Sequence, residues 1–138
     1  MTITITKNYE VTHEDLVTIL SAADCYRWYS TIMYNGKEYA LAKEKLEADA
    51  CADACFEDVL VQILEDGGKL TFVDSENWDV RYSLTLQMLY EGIKLAIDKE
   101  YYPEYHWYDD GKLDVSIIDG DVADVILQLG LFGEVMFG

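Results

Sequence analysis

Positive charge is scarce in this 138-residue sequence: ten lysines and arginines stand against 27 aspartates and glutamates, a net charge of −17. The cations are scattered singly apart from Lys43 and Lys45. With no basic stripe to follow a phosphate backbone, neither nucleic acid nor an anionic membrane is expected as a direct partner. Histidine and cysteine are equally sparse. His13 and His106 lie far apart, and Cys25, Cys51 and Cys55 make an odd number with no disulfide framework. A closed zinc site needs four ligands at short spacings, which these residues do not supply. Cys51 and Cys55 share a helix face and read as small buried thiols, so no metal and no cofactor is expected. No apolar run approaches membrane-spanning length, and "MTITITKNYE" lacks the apolar core of a secretory signal. A reducing cytoplasm, without membrane contact, is the expected compartment.

Catalytic signatures are missing too. There is no glycine-rich phosphate loop, nucleophile elbow or kinase-type motif. "DGDVAD" opens like a calcium loop, but its glycine is misplaced and no glutamate closes it. Among 27 acids a carboxylate pair is inevitable, so pairing carries no signal for glycoside hydrolysis. The chain is not expected to be an enzyme.

What is present is enough apolar residue, 51%, to build a core despite the charge. Residues 1–138 read as a single α+β domain of short antiparallel hairpins packed with about four helices. "TITIT" alternates like a strand, and Thr12 with Asp15 opens a helix carrying Leu16, Ile19 and Leu20 on one face. Ring-rich residues around Asn35-Gly36 predict a hairpin, in which Tyr26, Trp28, Tyr29 and Tyr34 alternate, about half of them facing the core. Residues 41–65 predict a helix, polar in its first half, with Phe56, Leu60, Ile63 and Leu64 facing the core and Asp66-Gly67-Gly68 ending it. "KLTFVDSENWDVRYSL" predicts a second hairpin with "DSEN" as its turn. Leu86, Leu89, Tyr90, Ile93 and Ile97 form the stripe of the clearest helix. "LDVSII" reads as a short strand, and Asp119 caps a last helix burying Val122, Val125, Ile126 and Leu129.

Acids and rings are unevenly spread. From Glu44 to Asp66 there are eight acids against Lys45 alone, and from Glu104 to Glu134 eight more against Lys112 alone. "YYPEYHWYDD", residues 101–110, packs five rings and three acids into ten positions. Acids so closely interleaved must reach water, which holds the rings near the surface. A tyrosine or tryptophan beside a carboxylate receives arginine well, by ion pair and cation–π contact together. The candidate partner-binding residues are therefore Glu44, Glu47, Asp49 and Asp53 in the first block, and Glu104, Tyr105, Trp107, Asp109 and Asp110 in the second.

The segments "ITITKNYEVTHEDL", "CYRWYS", "LTLQMLYEGIKLAID" and "DVADVILQLGLFGEVMFG" resemble a group of small acidic proteins encoded by phages and prophages of gut bacteria. The likeness covers most of the chain except residues 38–55 and the tyrosine-rich loop. It involves no catalytic motif, so no residue role is carried over. Such proteins generally have no assigned function, but they include inhibitors of host defence, anti-CRISPR and anti-restriction proteins among them, some of which imitate the phosphate backbone. The resemblance implies a cytoplasmic inhibitor that binds the basic nucleic-acid groove of a CRISPR-associated or restriction protein. A structural or accessory phage protein, working through an aromatic interface or as a homodimer, is the alternative reading. An enzyme with an unrecognised carboxylate site is the third.

Overall fold

Four of the five described α-helices start where the sequence supplies a side-chain oxygen for their free N–H groups. A computed structural model describes residues 10–23, 28–49 and 54–137. The expected first strand at "TITIT", together with Cys25, Tyr26, Cys51 and Asp53, lies outside these residues. Helix α1 (His13–Ala23) opens with a reciprocal box: Asp15 N–H donates to Thr12 Oγ1 at 3.2 Å and Thr12 N–H to the Asp15 carboxylate at 2.8 Å. Strand β1 (Tyr29–Met33) follows, and then Asn35 caps α2 (Gly36–Ala48) by accepting from the N–H groups of Lys37 and Glu38. The expected hairpin at Asn35-Gly36 is thus replaced by a helix start. An asparagine–glycine pair serves either purpose, and the alanine-rich residues that follow propagate helix rather than strand.

The single helix expected over 41–65 is two: α2, and α3 (Phe56–Glu65). Leu60, Ile63 and Leu64 of α3 are buried as expected, joined by Val59 and Val61, but Phe56 begins the helix and is exposed. Asp66 ends α3, and Gly67 takes the positive φ of 91° that the turn requires. Strands β2 (Leu70–Asp74) and β3 (Arg81–Leu84) form the second hairpin, over a loop longer than "DSEN". With β1 they make an antiparallel sheet of order β1-β2-β3.

Helix α4 (Leu86–Asp98) is capped by Thr85. It ends in a pair of reversed bonds, Glu100 N–H to Ile97 O at 3.1 Å and Tyr101 N–H to Ala96 O at 3.0 Å, with Glu100 left-handed at φ 55°. The chain then turns through the ring-rich loop into β4 (Tyr108–Asp109) and β5 (Lys112–Leu113). Asp110 (φ 53°) and Gly111 (φ 77°) are both positive, the signature of a two-residue hairpin turn. "LDVSII" divides between β5 and a 3-10 turn, Val115–Ile117, and Asp119 caps α5 (Gly120–Phe132) with its carboxylate on Val122 N–H.

The core centres on α4 against α5. Gly92 and Gly130 bring the two backbones together, so closely that a Cβ on Gly92 would stand 2.2 Å from Ile126 O, and one on Gly130 2.5 Å from Met88 O. Around that crossing Leu89, Ile126 and Leu129 are fully buried, each contributing about 1.5–3 kcal/mol. Helix α1 packs on α3 and α5, and α2 on α3. Five helices and two short antiparallel sheets, among the described residues, make this an α+β fold. None of those helices is long and apolar enough to cross a membrane.

Candidate functional site

The acids sort into those the fold uses and those it leaves in water. In the first block, Asp58 and Glu65 hold His13, and Asp66 accepts from Lys45 (3.0 Å) and Gln62 (2.9 Å). Along α2, Lys37, Lys43 and Lys45 balance Glu38, Glu44 and Glu47 in number. Of the acids between Glu44 and Asp66, those that are exposed and make no side-chain bond among the described residues are Glu44, Glu47 and Asp49. In the second block Asp114 and Asp119 are caps, and Asp124 is half-buried against Trp28 and Gln128. Burial raises the Asp124 pKa even though both partners donate to its carboxylate. Glu104, Asp109 and Asp110 remain exposed.

The rings are placed differently from expectation. Trp107 is 8% exposed and belongs to the core, because the chain folds back there, Asp114 N–H donating to Trp107 O at 2.8 Å. It is no surface anchor. Tyr105 stacks on Tyr102 (centroids 5.3 Å, planes 11° apart) and is half-buried. Trp28 and Tyr29 are both buried, and Tyr34 is exposed. The most exposed tryptophan among the described residues is one the sequence did not single out: Trp78, 66% exposed in the β2–β3 loop between the exposed acids Glu76 and Asp79. A ring between carboxylates was the signal, and it was present at "ENWD" too. Met33, Tyr34, Leu41 and Phe56 are exposed as well, with Tyr34 stacked on Tyr39 at 4.7 Å.

His13 joins α1 to α3. Its Nδ1 lies 2.6 Å from Glu65 and its Nε2 3.1 Å from Asp58. Burial works against the charge on the ring, but the hydrogen bonds and charges of Glu65 and Asp58 outweigh it and raise the pKa. Asp58 is likewise opposed by burial and still held below its ordinary value by Cys55 and His13. Cys55 is not the buried helix thiol expected: it is exposed before α3, its N–H and thiol both 3.1 Å from Asp58. Burial and Asp58 raise its pKa, so it is a poor nucleophile. His13, Glu14 and Asp58 bring one ligand-type atom each within 4.8 Å. Both ring nitrogens already meet carboxylates, one near each end of α3, so the imidazole is engaged by the fold. The cluster works as a staple.

Beyond the staple, a hollow of about 490 Å³ opens between α4, the chain entering α1, and β4. Val11, Ile93 and Ile97 line it with hydrocarbon, and Tyr90 and Tyr108 contribute rings. Glu10, Lys94 and Asp98 carry its charges. Burial, with the charge of Glu65, raises the Tyr90 pKa, which keeps that wall a neutral phenol.

Neither family models, nor curated proteins, nor solved structures match this chain. The exposed surface offers binding chemistry: carboxylates without an ion-pair partner among the described residues, the exposed indole of Trp78, and a tyrosine-walled hollow.

Proposed function

We propose that this protein is a non-catalytic inhibitor that binds a basic, nucleic-acid-holding surface of another protein and keeps nucleic acid from it. One observation carries the reading: Glu44, Glu47, Asp49, Glu104, Asp109 and Asp110 are exposed and join no ion pair among the described residues, on a chain of net charge −17. Solubility needs far less charge than this. A groove of lysines and arginines gains much of its affinity for nucleic acid electrostatically, so carboxylates compete for it. Trp78, not Trp107, is the anchor. An exposed indole among acids is costly to leave in water and is repaid against an arginine-rich surface. The likeness to small acidic phage proteins points to a defence nuclease of the CRISPR-associated or restriction type, in a host cytoplasm, as the partner.

The test is displacement. The protein should release labelled duplex from such a nuclease at low salt and lose that ability steeply as salt rises. Reversing Glu44, Glu47, Asp109 and Asp110 together should abolish release without unfolding the domain. Trp78→Ala should weaken the complex by about 2 kcal/mol, largely through its off-rate. Release unaffected by the reversed charges would defeat the proposal.

A second reading is favoured by four exposed apolar side chains: Met33 at the end of β1, Tyr34 and Phe56, whose rings meet edge to face, and Leu41 on α2. They suit an accessory protein that self-associates. Its association would be insensitive to salt and lost on Leu41→Glu, which sedimentation reads directly.

A further inference from the structure

We infer that the hollow between α4 and β4 is a receptor for an arginine-bearing segment of the basic partner, an inference that rests on the function just proposed. The lining sets the chemistry. Glu10 and Asp98 oppose the single ammonium of Lys94, so the opening is net negative on a protein that is already strongly so. Among the described residues no ion pair involves Lys94, Glu10 or Asp98, and both carboxylates are exposed. An anionic ligand would meet two like charges. A neutral apolar ligand would cover those carboxylates without bonding them, at a desolvation cost. A guanidinium answers all three constraints. It is planar and weakly hydrated, so it lies on a tyrosine ring while donating to a carboxylate, and its hydrocarbon stem rests on Ile93 and Ile97.

Size points to a segment rather than one side chain. About 490 Å³ falls within the range of pockets that hold a small-molecule ligand, and it takes an arginine together with an adjoining apolar residue. Tyr108 ties this hollow to the ring-rich loop: it is half-buried and forms one wall, with the exposed Asp109 beside it on β4. Interleaved rings and acids thus meet at a place able to grip an arginine, although Trp107 itself does not take part.

The probe is a fluorescent hexapeptide of alternating leucine and arginine, titrated into the full chain and followed by anisotropy and by amide shifts. Shifts should cluster at Val11, Ile93, Ile97 and Tyr108. Replacing each arginine by neutral citrulline should weaken binding about tenfold or more, as should the double variant Glu10→Gln/Asp98→Asn. Both of those side chains are exposed, so the variant is expected to fold, and its melting curve checks this. Ile97→Trp, which fills the hollow, should abolish the shifts. Equal binding of the citrulline peptide, or shifts confined to other surfaces, overturns the inference. Displacement of duplex from the nuclease, measured with the same double variant, separates the two proposals. Undiminished displacement that still depends on Glu44, Glu47, Asp109 and Asp110 removes the receptor and leaves the inhibitor. Peptide binding in the hollow without any displacement removes the inhibitor, and with it the partner assigned to the hollow.

Discussion

Gly92 stands in one of the tightest places in the fold. Its missing side chain is where Ile126 O lies, so Gly92→Ala must push two backbones apart rather than turn a rotamer. It should cost about 3 kcal/mol or more, read as a fall in the urea midpoint, and an unchanged midpoint would mean the helices stand farther apart than described. Gln128, fully buried, is as constrained by its polarity. Its amide donates to Asp124 and Phe137 O, and its oxygen accepts from the N–H groups of Met136 and Phe137. Gln128→Leu keeps the volume and strands those partners. A loss of about 1–3 kcal/mol is expected, together with red-shifted Trp28 emission as Phe137 leaves its stack and water reaches that indole. Glu100 is the opposite case: a side chain held left-handed where glycine is cheaper. Glu100→Gly should raise stability by up to about 1 kcal/mol, and a loss would reveal a role for the glutamate side chain.

At the scale of elements, the α1–α3 junction responds to pH in both directions. The pKa of His13 is raised from 6.5, so its contribution is complete below that value and is lost as pH rises through the folded one. Asp58 is held below 3.8, so its share is present above that value and fades as pH falls through the folded one. Melting temperature, measured from pH 5 to 9, should fall more steeply in the native protein than in His13→Asn as the imidazolium is lost. Parallel curves would show that His13 is neutral in the fold. Helices were readable from the sequence because their caps are local: Thr12, Thr85 and Asp119 each sit three residues from the N–H they satisfy or exchange bonds with. The fate of Asn35-Gly36 and Asp110-Gly111 was less readable, since each pair starts a helix or turns a hairpin depending on what its flanks pair with. Trp107 was misplaced for a related reason. Its acidic neighbours Asp109 and Asp110 do reach water, but a two-residue hairpin turns them outward while the indole points into the core. No composition rule separates residues two positions apart.

For the whole molecule, a net charge of −17 is a standing repulsion that packing must overcome. Raising sodium chloride from about 10 mM to about 0.15 M shortens the screening length to about 8 Å, so the melting temperature should rise with salt. A flat response would mean that the carboxylates are already neutralised, by bound cations or by raised pKa values, and would weaken the inhibitor reading with it. The glycine-locked crossing of α4 and α5 sets a second property. The ring-rich loop and its two-residue strands join these helices, anchored by Trp107 and Leu113 but paired only over short stretches and through the bridge from Glu10 to Lys112. In hydrogen exchange the amides of α4 and α5 should open only with the whole domain, whereas those of β4 and β5 open by themselves at lower free energy. The hollow therefore has one wall from the most protected part of the chain and one from a part that breathes. A guest that bridges them would slow exchange at Tyr108 and Leu113 far more than at Ile93, so the hairpin would report occupancy as a clasp does, by ceasing to move.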